Sequence, residues 1–330
     1  MIRPYPYLRS RTRDRSGNPH PIANAYGYRP VPCYFSNMLN KLEMFIALAK
    51  EQHFGRAADS LGITQPTLSA GIKQLEAELG VKLVQRGSRY GGLTPEGARA
   101  LDWARQIVGD ARRLRDEMRF SREGLTGHLR LAVIPTALTW ASRLSARFSA
   151  AHPNVTFTIL SRTSIQILNM LENLEADVGL SYLDNEPLGR VQVQELYRED
   201  YALVCAPDDP AAGRTDIGWT DIGTRTLCLL TPDMQNRRII NRAFMEAGQT
   251  PNVRMESNST VVLVSHVEQG GWSTVLPGDM AASLSLGRDV AVVPIRSDRP
   301  GPSVGLVAPY QEPQTPVLQA LLDEARALSD

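Results

Sequence analysis

Between residues 54 and 76, apolar positions recur at helical spacing on both sides of a glycine. Ala57, Ala58 and Leu61 form the apolar side of a first segment that ends near Gly62, a residue suited to a helix C-terminus. In the second segment the apolar residues recur at i, i+4, i+7 and i+11, at Leu68, Ile72, Leu75 and Leu79. The pattern predicts two short amphipathic helices joined by a tight turn.

The start of the second predicted helix carries short polar side chains on the face opposite its apolar stripe. Thr64 is placed to cap the helix, and Pro66 falls in its first turn, where the missing proline N–H costs little. Polar groups at this place suit hydrogen bonding to base edges in the major groove. The candidate DNA contacts on this helix are Thr64, Gln65, Pro66, Thr67, Ser69 and Lys73. The spacing alone fits an ordinary helical hairpin equally well.

The flanking segments favour the DNA-reading interpretation over the ordinary hairpin. Upstream, a third apolar stripe predicts a supporting helix, formed by Leu39, Leu42, Phe45, Ile46 and Ala49. Downstream, two short apolar runs within residues 80–94 are separated by glycines, which predicts a small β-hairpin, or wing. Arg86 and Arg89 near its tip would lie against the DNA backbone or minor groove.

From Met38 onward, the order of these segments resembles the LysR-type transcriptional regulators. The most specific part of the resemblance is the pattern AAxxLxxTQPTLSxxIxxLExxLGxxL, with the helix-turn-helix at residues 55–74. In that family a basic or polar pair often follows the serine of the reader helix, whereas Ala70 and Gly71 stand here. DNA contacts are therefore not carried over to those two positions. Val84 stands where the family usually has phenylalanine.

Residues 95–123 predict one long linker helix with a narrow apolar stripe. The stripe consists of Ala98, Leu101, Ala104, Ile107, Val108, Ala111, Leu114 and Met118. Such a stripe suits pairing with a second copy of the same helix, and it equally suits packing against the chain's own second domain. In the family that the chain resembles, this helix is the dimerisation element.

After Gly127 the pattern changes to alternating strands and helices in two sets. The first set has strands at 129–134, 156–160 and 177–182, and the second has strands at 226–230, 253–257 and 272–276. Apolar strands at 201–206 and 303–308 could cross between them. The expected fold is an α+β multidomain chain: a winged helix-turn-helix (38–94), a linker helix (95–123) and a two-lobed α/β sensor (124–330). The resemblance implies that this sensor is like a type 2 periplasmic-binding protein.

Ligands of open α/β sheets bind beyond the carboxyl ends of the strands. The hydroxyls, the one nearby cation and the helix N-termini at those ends favour a small organic anion. The predicted effector-binding residues are Thr136, Ser161, Arg162, Thr163, Tyr201, Thr231 and Gln235. We expect Ser164 to be a helix cap, which is the commoner role of a serine at this place.

Charge is distributed unevenly along a chain whose formal net charge is +1. Residues 1–37 carry +5, residues 38–123 carry +3 and residues 124–330 carry −7. Residues 1–37 have six prolines and no apolar periodicity, so we expect a disordered basic extension, either an upstream start or a nonspecific DNA-binding arm. No apolar run approaches the roughly 18 residues that a membrane span requires.

The three cysteines, Cys33, Cys205 and Cys228, have no metal-ligand spacing, and the sequence offers no catalytic or cofactor motif. The expected protein is a cytoplasmic regulator that binds the inverted-repeat operator of double-stranded DNA as a homodimer or homotetramer. A small-molecule effector controls it, and RNA polymerase is an expected partner. The alternatives are a cysteine-based redox-sensing regulator of the same family and a small-molecule binding protein without DNA function.

Overall fold

The structure is a computed structural model that describes residues 34–86, 90–184, 188–297 and 299–329. Of the predicted basic extension, residues 1–33 lie outside the described residues, while residues 34–37 already belong to the first helix. Within the described ranges, no helix combines the length and the apolar character needed to cross a bilayer.

Three helices and a two-stranded hairpin form the N-terminal unit. These elements are α1 (Tyr34–Glu51), α2 (Phe54–Ser60), α3 (Gln65–Leu79), β1 (Val84–Arg86) and β2 (Tyr90–Leu93). Phe45, Leu68 and Ile72 are buried in their common core, and β1 and β2 pair antiparallel. The predicted winged helix-turn-helix is thus confirmed. Two expected core residues, Leu61 and Leu79, are 38% and 41% exposed, because each stands where its helix ends.

The long helix α4 (Pro95–Glu123) follows the hairpin directly. Its predicted apolar stripe divides between two faces. Ala104 and Val108 are buried in the core that α4 shares with α1. The other face leaves large apolar side chains exposed, at Trp103, Ile107, Leu114 and Met118.

The remaining chain forms two lobes. The first lobe begins with β3 (Gly127–Val133), α5 (Leu138–Ala151), β4 (Val155–Ser161), α6 (Ser164–Glu172), β5 (Val178–Tyr182) and β6 (Val191–Arg198). The second contains β7 (Tyr201–Cys205), α7 (Trp219–Ile222), β8 (Thr226–Leu230), α8 (Gln235–Glu246), β9 (Asn252–Ser257), α9 (Thr260–Val267), β10 (Thr274–Pro277), α10 (Gly278–Ser285) and β11 (Ala291–Pro294). The chain then returns to the first lobe with β12 (Ser303–Pro309) and α11 (Pro316–Ser329).

Each lobe is built on its own sheet. The first sheet has the order β4-β3-β5-β12-β6, with β3 parallel to both of its neighbours. In the second lobe, the pair β8-β9 and the three strands β10-β7-β11 are joined by a parallel bridge between Leu227 and Ser273. The carboxyl ends of β3 and β4 therefore lie at one edge of the first sheet, where a ligand site is expected.

The predicted crossing strands are placed differently in the structure. β7 pairs only with strands of the second lobe, and β12 pairs only with strands of the first. The two crossings are instead the short connection from β6 to β7 and the segment between β11 and β12. An apolar run identifies a strand, but its sheet depends on pairing partners that are distant in sequence.

Candidate functional site

The first candidate site is the N-terminus of α3. Thr64 adopts an extended conformation as the N-cap, and its hydroxyl accepts a hydrogen bond from the Thr67 backbone N–H at 3.4 Å. The two threonine hydroxyls lie 2.9 Å apart. His53 caps α2 by accepting from the N–H groups of Gly55 and Arg56. Both helices therefore begin at a side-chain cap, which fixes where the polar face of α3 starts.

The face of α3 predicted to contact DNA is open to solvent. Gln65, Pro66, Thr67 and Lys73 are exposed, and Ser69 is half-buried. Gly71 is buried instead, and a Cβ at this position would lie 2.4 Å from the Met44 sulfur. The glycine allows α1 and α3 to approach closely, so position 71 belongs to the core and offers no contact to DNA.

The hairpin next to α3 is held by a residue that the sequence analysis missed. Glu76 is 3% exposed, and its Oε1 accepts hydrogen bonds from the backbone N–H groups of Leu83 (3.0 Å) and Val84 (3.3 Å). Lys82 pairs with Oε2 at 3.3 Å. Helical periodicity shows only that Glu76 follows the core residue Leu75. Its role as an anchor depends on the later residues Leu83 and Val84 folding back against α3, which the periodicity does not predict.

The predicted arginine contacts of the hairpin are described only in part. Arg86 ends β1, and Arg89 lies outside the described residues, as do residues 87 and 88. Gly97 of α4 allows the backbone just before β1 to pack closely against the helix, because a Cβ at position 97 would lie 2.0 Å from the Leu83 carbonyl oxygen.

The second candidate site is a cleft of about 530 Å³ between the lobes. The predicted residues Ser161, Arg162 and Thr163 line it from the first lobe, facing Asp233 and Ser259 of the second. Arg162 is the cation among the described residues that line this cleft, and Asp233 is the acid. The cleft thus brings together three of the seven predicted effector-binding residues.

A smaller cavity of about 10 Å³, which we call the inner cavity, adjoins this cleft. The two share Pro135, Thr163 and Met234 in their walls. The predicted residues Thr136 and Gln235 line the inner cavity.

The helix cap at α6 is not the predicted one. Thr163 forms a capping box with Gln166, so the cap is Thr163, and the prediction for Ser164 was wrong. The Ser164 hydroxyl is buried and lines the inner cavity, with no hydrogen-bond partner among the described residues. Thr163 also lines the cleft, so it combines both roles.

Two predicted effector residues lie elsewhere. Thr231 lines neither the cleft nor the inner cavity. Tyr201 lines a separate pocket of about 500 Å³ at the crossings between the lobes.

A buried carboxyl group lies at the crossing, and the sequence did not predict it. Glu199 is 1% exposed, and its Oε2 accepts hydrogen bonds from the hydroxyls of Tyr182 (2.8 Å) and Tyr201 (3.0 Å). Burial raises the pKa of Glu199 to about 7, although these hydroxyl donors favour the charged form. A single glutamate at a strand end gives no sequence signal of such a site.

The described cysteines are deeply buried thiols. Cys205 and Cys228 are both fully buried, and burial raises the pKa of each thiol to about 11. Cys33 lies outside the described residues. Since the thiolate is the reactive form, this environment suppresses reaction with oxidants.

We expect the Cys33→Ser variant to react slowly with a disulfide reagent such as DTNB. At pH 7.5 a thiol with the raised pKa of Cys205 or Cys228 has a few hundredfold less thiolate than an exposed cysteine. Thiol release in the folded protein should therefore be at least about a hundredfold slower than after denaturation. Rapid release of one equivalent from the folded protein would show an accessible, reactive thiol.

The described residues contain no group of three or more His, Cys, Asp and Glu side chains able to hold a metal ion.

Family models match the two parts of the chain in which the candidate sites lie. The model "LysR substrate binding domain" matches residues 122–330, and the model "Bacterial regulatory helix-turn-helix protein, lysR family" matches residues 39–98.

Individual proteins give the same result. A hydrogen peroxide-inducible genes activator of Escherichia coli O6:H1 is 28% identical over 294 residues, covering 88% of this chain and 96% of the relative. The HTH-type transcriptional regulator CbbR of Rhodospirillum rubrum is 30% identical over 268 residues, covering 79% and 88%. The structure of a full-length OxyR variant from Pseudomonas aeruginosa superposes with a TM-score of 0.68 at 24% identity, covering 88% and 99%.

Proposed function

Because the chain belongs to the LysR family of bacterial helix-turn-helix transcriptional regulators, we propose that the exposed start of α3 reads the bases of its operator. The observation that carries this proposal is the solvent-open polar face next to the capped N-terminus. Gln65 can pair with adenine through two hydrogen bonds, while Thr67 and Ser69 offer hydroxyls. Lys73, two turns further on, contacts a phosphate, and Arg86 and Arg89 extend the contact through the wing.

The operator in this proposal is an inverted repeat bound by a homodimer. The exposed apolar face of α4 supports it, because Trp103 and Leu114 are 64% and 63% exposed and a second copy of the helix would cover them. A net charge of +3 over residues 38–123 is modest, so two linked heads are needed for tight binding. Pairing of dimers through their sensors into a homotetramer, contact with RNA polymerase and a cytoplasmic location complete the proposal.

The sensor in this proposal binds a small organic acid in the cleft between the lobes and has no enzymatic role. Arg162 and the capped N-terminus of α6 support an anionic ligand at the cleft, because helix N-termini and guanidinium groups both favour carboxylates. A ligand that prefers one arrangement of the lobes shifts the population of DNA-binding states.

Cysteine-based redox sensing is the second candidate, and the name of the Escherichia coli relative motivates it. The full burial of Cys205 and Cys228 and their raised thiol pKa values argue against it.

Paired substitutions on α3 test the DNA-reading proposal. We expect Lys73→Ala to weaken binding to all sequences alike and to reduce the slope of log affinity against log salt by about 0.9, because one phosphate contact is lost. Gln65→Ala should instead relax the preference for the operator over a mutated half-site by about 1–3 kcal/mol. Fluorescence anisotropy with both duplexes across a salt series measures both quantities.

Gln269→Ala is the matched control, since Gln269 is exposed just after α9 in the second lobe, outside the DNA-binding unit and α4. It should leave affinity, preference and slope unchanged. An unaltered operator preference in Gln65→Ala would remove the base-reading role of Gln65.

A further inference from the structure

A chain of hydrogen bonds connects the inner cavity to the buried carboxyl of Glu199. The hydroxyls of Tyr182 and Tyr201 both donate to Glu199 Oε2. Asn236 Nδ2 donates to the Tyr182 hydroxyl oxygen at 3.1 Å and lies 3.4 Å from that of Tyr201. Thr136 Oγ1 is 3.2 Å from the same Tyr182 oxygen. This chain of hydrogen bonds joins β5 of the first lobe to α8 of the second.

While Glu199 is ionised, the hydrogen bonds of this chain run in one direction. A phenol has one hydrogen, and Tyr182 uses it on Glu199, so the Thr136 hydroxyl must donate to Tyr182. The oxygen of Thr136 can then act only as an acceptor. Asn236 is fixed in the same way: its Nδ2 faces the tyrosines, and its Oδ1 is buried with no hydrogen-bond partner among the described residues.

Two residues of the inner cavity therefore use their hydrogens within the chain of hydrogen bonds and can offer a ligand only an oxygen acceptor. Thr136 and Asn236 both line this cavity, and both are at least nine-tenths buried. A carboxylate oxygen placed there could not form a hydrogen bond with either of these two oxygens. Gln235 and Ser164 also line the cavity, and because an amide can turn and a hydroxyl can rotate, they suit a donor or an acceptor equally.

The volumes of the inner cavity and the cleft also indicate which part of a ligand each can hold. A volume of about 10 Å³ is the lower limit for one water molecule, and so for one hydroxyl or amino group. The adjoining cleft of about 530 Å³ holds the rest of a small molecule, and Arg162 lies in its wall. A hydroxyl or amino group therefore fits the inner cavity, and an anionic group fits the cleft beside Arg162.

We propose that the effector is a small carboxylic acid bearing a hydroxyl or amino group, whose donor enters the inner cavity while its carboxylate meets Arg162 in the cleft. This inference rests on the proposed effector function. It makes the Thr136–Tyr182–Glu199 chain the element that selects the ligand, with Tyr182 and Glu199 acting as positioning residues behind Thr136 and Asn236.

Matched ligand pairs test the inference on the full-length protein. Calorimetric titration compares glycolate with acetate, lactate with propanoate, and alanine with propanoate. At least one hydroxylated or aminated member should bind tenfold or more tightly than its unsubstituted partner, because the partner has no hydrogen to donate to these buried acceptors.

Tyr182→Phe provides a readout that a merely structural role would not move. Without the phenol, the Thr136 hydroxyl no longer has Tyr182 as its acceptor and can donate to a ligand, so acetate and propanoate should gain affinity relative to their substituted partners. Tyr197→Phe is the matched control, because Tyr197 stacks on Trp140 and is not a member of this chain of hydrogen bonds. Loss of the Tyr197 hydroxyl should leave the affinity ratio within each ligand pair unchanged. Should Tyr182→Phe misfold by circular dichroism, Thr136→Val, which removes one acceptor, should reduce the ratio instead.

The outcomes separate the two proposals. Equal binding within every pair overturns the inferred selectivity while leaving a cleft that binds small acids. The same holds if the ratio is unchanged in both Tyr182→Phe and Thr136→Val. No binding by any of the five compounds overturns the inferred class and the small-acid effector together, while the DNA-reading proposal is decided separately by the α3 variants.

Discussion

Replacing Glu76 by alanine should lower the free energy of unfolding of the DNA-binding unit by about 3 kcal/mol and weaken operator binding at temperatures where the protein remains folded. The substitution leaves the buried N–H groups of Leu83 and Val84 without an acceptor, at a cost of about 1–3 kcal/mol each. These residues lead into β1, so the wing loses its attachment to α3. Thermal unfolding and fluorescence anisotropy with operator DNA measure the two effects.

Glu76→Gln separates the hydrogen bonds from the charge. The glutamine oxygen can accept from both N–H groups. The ion pair with Lys82 is lost, but it contributes little to stability because Lys82 is 69% exposed. Glu76→Gln should therefore retain most of the stability and affinity. Glu117→Ala on α4 controls for the removal of a carboxylate. If Glu76→Gln is as damaging as Glu76→Ala, the ion pair rather than the hairpin attachment explains the role of Glu76.

Glu76 also illustrates which parts of this structure its sequence predicts. Most helices and strands were predicted because each repeats its own period, although α7, α10, α11, β6 and β11 were not. Thr64 was predicted as a cap because caps are local. The attachment of the wing joins residues seven and eight positions apart through a side chain and two backbone groups. Nothing in the apolar pattern distinguishes that buried glutamate from a solvated one.

The sensor shows the same division at longer range. Positions after strand ends predicted the cleft residues Ser161 to Thr163 and the cavity residue Thr136, since the carboxyl edge of a parallel sheet follows from strand order. Glu199 was missed because its environment is assembled from four segments that meet only in the folded chain. The sheets of β7 and β12 were unpredictable for the same reason: pairing is a property of distant partners.

The second large effect is expected at Glu199. Its pKa is about 7 in the folded protein, against 4.5 as its ordinary value, because burial disfavours the charged carboxylate. The folded state therefore binds this proton more tightly than the unfolded state. Below about pH 4.5 the stabilising contribution is fully present, and it is lost as the pH rises towards 7. At about 1.4 kcal/mol per pKa unit, the loss amounts to about 3 kcal/mol.

Glu199→Gln removes this titration, so its free energy of unfolding should increase relative to wild type by about 3 kcal/mol between pH 4.5 and 8. Denaturant unfolding of both proteins across this range measures the difference. A constant offset from altered hydrogen bonding does not matter, because the test is the change of the difference with pH. Glu195→Gln, an exposed site on β6, which ends one residue before Glu199, should follow the wild-type profile.

A difference that stays constant from pH 4.5 to 8 would mean that the carboxylate remains ionised when folded. The two tyrosine donors would then outweigh its burial, and Glu199 would be a fixed charge. If the difference increases as expected, the buried carboxyl loses its proton near neutral pH, at the point where the lobes connect. Tyr182 of the first lobe donates to this carboxyl and accepts from Asn236 of the second, so the destabilising buried charge would arise within the contact between the lobes over the same pH range.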